Sequence, residues 1–256
     1  MLAVIADIGN THVRFAAWMA EDRLPRLADG VWQAAPALRG IGRLATPSPG
    51  ANEEEPFRRE ATAMLASHSA VPLVLVSVVP RVDGLLDGIV PDLRRVGHMS
   101  SLPFRHALAD VAATGADRLC NVAAAVGAGL RSALVVDAGT ATTVDVLIDG
   151  VFVGGVIAPG MAFALEQLGR RAARLAPVPF GEVPLVAGAD TAAAMSAGAF
   201  HAGRGGIEAL IDGLQAVHGA LPVVLTGGLG GFLDRPGRFR DSQWTLRGAA
   251  LLAGLC

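Results

Sequence analysis

Residues 133–160 read ALVVDAGTATTVDVLIDGVFVGGVIAPG, and the rest of the chain is arranged around them. The run Ala133-Leu134-Val135-Val136 is apolar and ends on one carboxylate, Asp137. A tight turn, Ala138-Gly139-Thr140, leads into a second β-rich run from Thr142 to Ile148. Asp149-Gly150 is a two-residue hairpin signal, because both residue types accept the positive φ of a type I′ turn. Val151 to Ile157 makes a third strand. The spacing predicts a three-stranded antiparallel meander whose first turn displays an acid, backbone amides and hydroxyls.

The N-terminus has the same design. Leu2-Ala3-Val4-Ile5-Ala6 runs into Asp7-Ile8-Gly9-Asn10-Thr11, and His12 to Trp18 alternates like a half-buried strand. Asp7 and Asp137 lie 130 positions apart (137 − 7), Gly9 and Gly139 keep that offset, and it is about half of the 256 residues. For either hairpin alone, Asp-x-Gly is ordinarily just a turn. Two copies half a chain apart point to a duplicated unit.

Composition narrows the chemistry. Apolar residues make up 52% of the chain and mean hydropathy is +0.47, ample for a core, yet no apolar run reaches the roughly 18–20 residues of a membrane span. The first apolar run ends at Asp7 without a basic lead-in, so no secretory leader is expected and the location expected is cytoplasmic. A net charge of −2 gives no footprint of a nucleic-acid binder. All 21 basic residues are arginine, which excludes a Walker A lysine and Schiff-base catalysis. Cys120 and Cys256 have no zinc spacing, and the six histidines are scattered.

Along the chain, Gly30 to Ala34 is expected to complete the first meander. Asn52 is placed to cap a helix carrying Glu53, Glu54 and Glu55 in its first turn and running to His68. Val71 to Val79 has the continuous apolar character of a strand buried on both faces. Thr114 or Gly115 caps an Ala-rich helix to Gly127, with Asp117 and Arg118 in its first turn. Helices are expected over 162–175, 192–201 and 207–217, the last two separated by a glycine-rich break at 202–206. A short buried strand covers 221–225, and a C-terminal helix starts near Thr245.

An acid-bearing hairpin turn offers what a polyphosphate needs where lysine is missing: backbone N–H groups, hydroxyls, and a carboxylate for a divalent cation. Two facing copies can clamp one nucleotide. Asp117 is either a helix N-terminal acid stabilised by the dipole or a general base in phosphoryl transfer; the dipole is expected to depress its pKa. Arg118 is either a solvated arginine or a fork for a substrate carboxylate. His12 can touch phosphate or simply satisfy its turn.

Five segments together resemble the motifs of the type III pantothenate kinases, in order and spacing: Asp7-Ile8-Gly9-Asn10-Thr11, Gly115-Ala116-Asp117-Arg118, Asp137-Ala138-Gly139-Thr140-Ala141, Gly154 to Gly160, and Thr226-Gly227-Gly228. The resemblance covers essentially the whole chain. It implies the α/β duplicated fold of actin, sugar kinases and heat-shock chaperone ATPases (ribonuclease H-like), two lobes with a cleft between them. It implies ATP-dependent, Mg²⁺-dependent phosphorylation of the primary hydroxyl of pantothenate, a requirement for K⁺ or NH₄⁺, and a homodimer. Lobes 1–112 and 113–256 follow, the second carrying the catalytic acid, cation site and dimer interface.

Carried over by that resemblance, Asp7, Ile8, Gly9, Asn10, Thr11, His12, Val13 and Arg14 form the phosphate-binding turn, with Asp7 meeting Mg²⁺ through phosphate or water. Gly115, Ala116, Asp117 and Arg118 bind pantothenate, with Asp117 as base and Arg118 toward the carboxylate. Asp137 holds the monovalent cation, Thr140 contacts ATP, and Thr191 reaches pantothenate across the dimer. Many members place a pocket tyrosine before the Gly-x-Asp-Arg motif; here Phe104-Arg105-His106-Ala107-Leu108 stands there, and the chain has no tyrosine. A non-catalytic accessory protein on the same fold, or a kinase for another small molecule, are the competing functions.

Overall fold

The computed structural model describes residues 1–50, 52–171 and 177–256. In chain order the first half holds β1 (Ala3–Ile8), β2 (His12–Trp18), β3 (Arg26–Ala28), β4 (Val31–Gln33), β5 (Arg39–Ala45), α1 (Glu54–Leu65), β6 (Leu73–Ser77), α2 (Pro80–Asp83), β7 (Leu93–Val96), β8 (Arg105–His106) and α3 (Ala116–Gly127). The second half holds β9 (Ala133–Ala138), β10 (Ala141–Ile148), β11 (Val151–Pro159), α4 (Phe163–Arg171), α5 (Thr191–His218), β12 (Val223–Thr226), β13 (Arg238–Arg240) and α6 (Trp244–Leu252). Packing divides the chain into two compact units, Met1–Arg131 with Ile148–Val153 and Gln243–Cys256, and Ser132–Leu147 with Gly154–Ser242. α3 and α6 therefore pack with the first unit, whereas the lobe boundary expected at 112/113 assigns both to the second. Among the described residues no helix is long and apolar enough to cross a membrane.

In the first unit the sheet order is β5-β2-β1-β6-β7, with β1 antiparallel to β2 and parallel to β6. The two-residue period of each strand sends alternate side chains to opposite cores. Val4, Ala6, Ile8, Val13, Phe15, Leu73 and Leu75 bury against Phe57, Ala61 and Leu65 of α1. Ala3, Ile5, Ala16, Trp18, Val74 and Val76 bury against Cys120 of α3 and Leu246, Ala249 and Ala250 of α6. β6 is apolar from Leu73 to Val76 because both of its faces are covered.

α3 and α6 meet backbone to backbone: a Cβ on Gly248 would run into the carbonyl of Cys120. The crossing is pinned by Trp244 Nε1–H donating to the Asn121 carbonyl and the Thr245 hydroxyl donating to Asn121 Oδ1, each at 2.9 Å. Buried Arg247 donates to the carbonyls of Arg23 (2.8 Å) and Pro36 (2.7 Å), so its charge is met by backbone oxygens from two remote segments.

Two expectations change here. The third strand of the first meander is β5; residues 30–34 instead belong to the separate β3–β4 hairpin, turned by Asp29 and Gly30 at φ +52° and +76°. α1 begins after Glu53 with no side-chain cap, so Asn52 is not its cap; the Glu53 carboxylate accepts from the Ser48 N–H at 2.8 Å.

In the second unit the strand order is β13-β12-β9-β10-β11, and the meander 133–159 forms as the sequence predicts. Asp149 and Gly150 take φ of +48° and +75°, as the type I′ turn requires. β8 pairs with the first residues of β11. Equating β5, β2, β1, β6 and β7 with β11, β10, β9, β12 and β13 gives one strand order for both sheets, so the duplication is real. Burial along β1 and β9 is the same residue for residue, with the acid partly exposed in each.

α5 is one helix of 28 residues where two were expected. Its N-cap is Asp190, whose carboxylate accepts the Ala193 N–H at 2.8 Å. Helix 162–175 is described as Phe163–Arg171; its residues 172–175 lie outside the described residues.

Candidate active site

The pleat decides where Asp7 points. It shares parity with Ala3 and Ile5, so its carboxylate faces the side of the sheet covered by α3. Directly opposite on β2 is Arg14, whose Nε (3.2 Å) and Nη2 (2.5 Å) donate to Asp7 Oδ2. Arg43 on β5 lies opposite Arg14, giving the cross-strand row Arg43, Arg14, Asp7. Ile8 and Val13 form the last buried pair before the turn, in which the Gly9 N–H donates to the His12 carbonyl at 3.0 Å. Thr46 braces that turn through its hydroxyl to the Gly9 carbonyl (2.6 Å) and its N–H to the Thr11 carbonyl (3.0 Å). Asn10 and Thr11 stay exposed. Burial, then Arg43 and Arg14, push the His12 pKa down, so His12 enters as a neutral hydrogen-bonding group rather than a charge.

At the start of α3, Gly115 is the N-cap and Ala116, Asp117 and Arg118 form the first turn. Asp117 Oδ1 accepts the Arg118 N–H at 2.7 Å. The carboxylate folds back so far that a Cβ on Gly115 would sit 2.5 Å from Oδ1, which explains glycine at the cap. Burial raises the Asp117 pKa above its ordinary value, the Arg118 N–H bond opposes that, and the Asp7 charge adds to it. The expected depression by the helix dipole is thus overturned: desolvation beneath the sheet outweighs it. The Arg118 guanidinium lies over the Phe152 ring, Cζ to centroid 5.6 Å, and Phe152 packs edge-on against Phe104 at 6.1 Å.

In the second unit Asp137 sits opposite Thr143 on β10 and Thr226 on β12, so the row is Thr143, Asp137, Thr226. The Thr143 and Thr226 hydroxyls are buried and have no hydrogen-bond partner among the described residues. Gly227, at φ +81°, brings the 226–228 turn so close that a Cβ would lie 2.5 Å from Asp137 Oδ1. Gly160 seals the hairpin turn beside Thr140, its N–H donating to the Thr140 carbonyl at 3.0 Å. Ile8 pairs with Val13 but Ala138 with Thr142, so the first turn is one residue longer and Thr143 is the counterpart of Arg14. Thr191 is the first residue of α5 and is exposed.

Asp7–Arg14 and Gly115–Arg118 thus share the first unit, while Asp137, Thr140 and Thr191 belong to the second. Sequence reading missed Arg43, Phe152 and Thr143, and it singled out Thr226 only as part of the Thr226-Gly227-Gly228 segment. Cross-strand register alone reveals Arg43 and the threonines, and a phenylalanine in a β-run reads as ordinary core.

The family model for type III pantothenate kinase matches residues 3–213. The chain belongs to that family. A type III pantothenate kinase from Thermomicrobium roseum is 32% identical over 241 residues, covering 90% of this chain and 86% of the relative. One from Moorella thermoacetica is 35% identical over 172 residues, covering 63% of this chain and 66% of the relative, so that match spans just under two thirds of the relative's length. A solved Baf family protein from Campylobacter jejuni, described as a candidate transcriptional activator, superposes with TM-score 0.58 at 19% identity, covering 98% of this chain and 97% of that one. A candidate N-acetylmannosamine kinase from Listeria monocytogenes gives 0.53 at 13% identity, covering 98% of each chain. At these identities the likeness is one of fold, and the fold is that of the sugar kinases. Pantothenate kinases act with ATP and a divalent cation, and the family assignment carries that much.

Proposed function

We propose that this chain transfers the γ-phosphate of ATP to the primary hydroxyl of pantothenate, forming 4′-phosphopantothenate, the first step of coenzyme A biosynthesis. The observation that carries this reading is Asp117: a half-buried carboxylate at a helix N-terminus, raised in pKa by desolvation and beside a second acid-bearing turn. A base raised toward neutrality takes a hydroxyl proton more readily than an ordinary aspartate. Arg118 faces the pantothenate carboxylate as a fork. The turn from Asp7 to Arg14, with Arg43 behind it, holds the phosphates through Gly9, Asn10 and Thr11; Thr140 contacts ATP from the second hairpin.

Among the described residues no three His, Cys, Asp or Glu side chains cluster to hold a metal. Asp7, a single carboxylate at the phosphate-binding turn, would share Mg²⁺ with the phosphates, directly or through water. Asp7 would hold the ion where its charge would offset that of the transferred group. The buried hydroxyls of Thr143 and Thr226 flanking Asp137 suit a K⁺ or NH₄⁺ ion, which takes neutral oxygens beside one carboxylate. The first unit supplies the phosphate-binding turn and the base, and the second the cation site and dimer face. Thr191 reaches pantothenate from the second copy of a cytoplasmic homodimer.

A coupled assay of ATP consumption tests the reading, run with and without pantothenate, in K⁺ or NH₄⁺ and then in Na⁺. Pantothenate-dependent turnover stimulated by K⁺ or NH₄⁺ is expected, and Asp117→Asn should lower kcat by a factor on the order of 10²–10⁴. A clear preference for a sugar or short acid as acceptor, or unchanged turnover in Asp117→Asn, would overturn it.

A further inference from the structure

Arg118 leaves the first turn of α3 on a long side chain that carries roughly 2 kcal/mol of rotamer entropy. A guanidinium recognises a carboxylate in its own plane, through two parallel N–H donors, so what fixes the plane fixes the recognition. The Phe152 ring lies 5.6 Å from Arg118 Cζ, inside the range of a cation–π contact. Phe152 is fully buried, sits two residues after the Asp149-Gly150 turn, and is held edge-on by Phe104 at an interplanar angle of 87°. The ring offers the guanidinium a π face and no hydrogen-bond acceptor. The phenyl also brings no hydroxyl to compete for the N–H donors, in a chain without tyrosine.

We propose that Phe152 is a positioning residue for the acceptor: its ring, locked by Phe104, holds the Arg118 guanidinium in the plane that meets the substrate carboxylate. Phe152 touches no substrate and acts through Arg118, so this inference rests on the reading of Arg118 given above. An arginine, not merely a positive charge, is then needed at 118.

The test compares wild type with Phe152→Leu, Phe152→Met, Arg118→Lys, Arg118→Gln and the double variant Phe152→Leu/Arg118→Gln, measuring KM for pantothenate, KM for ATP and kcat. Phe152→Leu is expected to raise the pantothenate KM about 5- to 20-fold, the size of a desolvated cation–π contact, while the KM for ATP stays put and kcat falls by less than KM rises. Arg118→Lys should do no better than Arg118→Gln, and the double variant should be no worse than Arg118→Gln alone. An unchanged pantothenate KM in Phe152→Leu, independent losses in the double variant, or a near-wild-type pantothenate KM in Arg118→Lys would each overturn the role. Should Phe152→Leu not fold, Phe152→Met keeps apolar bulk without a ring, and the Arg118→Lys comparison needs no change at 152. Wild type inert toward pantothenate sinks the kinase reading itself; active wild type with a flat Phe152→Leu response sinks only the role of Phe152.

Discussion

Asp117 is a destabilised group, and its energetics can be measured apart from catalysis. Its folded-state pKa lies above the ordinary 3.8, with burial the main cause, so folding penalises the charged form. The penalty is absent below the ordinary value and fully present once pH passes the raised one, so stability falls across that window as pH rises. Asp117→Asn is therefore expected to melt higher than wild type at pH 7 to 8, with the gap closing toward pH 3.8 in a series of thermal melts. The same shift puts the acid limb of the kcat/KM profile above the usual aspartate range. Gly115→Ala separates geometry from charge: the new methyl would come within 2.5 Å of Asp117 Oδ1 and push the carboxylate aside. About a tenfold loss of kcat with little change in Tm is expected, since the atom displaced is a side-chain end. The position of Asp117 was legible in the sequence. Its pKa was not, because the desolvation comes from segments distant in the chain.

Among elements, the legible ones carry their own local chemistry. Asp149-Gly150 dictates its turn, and Asp190 caps α5 as its residue type suggests. The misread ones are governed by contacts. α5 runs through glycines at 203, 205 and 206, where propensity opposes a helix by roughly 1 kcal/mol per residue, and packing of Phe200, Ile207 and Ile211 prevails. β7 and β13 are short, arginine-bearing edge strands whose pairing with β6 and β12 has no pattern of its own to announce it. The α3–α6 crossing is where one methyl should matter most. Gly248→Ala, facing the Cys120 carbonyl, is expected to cost about 1–3 kcal/mol in chemical denaturation, the usual size of an overpacked contact. Asn121→Leu should add a comparable loss by leaving the Thr245 hydroxyl without its acceptor.

At the scale of the whole molecule, duplication has produced one acid-bearing hairpin twice with different cross-strand partners. Where the first copy sets Arg14 opposite its aspartate, the second sets Thr143. Thr143→Arg would give the second hairpin the built-in counter-charge of the first. The ratio of rates in K⁺ and Na⁺ is then expected to fall toward one, and a ratio equal to wild type would remove Asp137 from the cation role. The half-chain offset of 130 residues was visible in the sequence, but the one-residue difference in turn length, which aligns Arg14 with Thr143, emerges only from register.

Arg247 and Gln243 tie the last helix to segments near the start: Arg247 to Arg23 and Pro36, Gln243 to both backbone groups of Leu38. A ribosome delivers those anchors after every segment they tie down. During synthesis the later unit has all its strands in hand before the earlier one can close, so the half begun first is closed second, and stalling before residue 243 would release a chain whose α3 still lacks its backing.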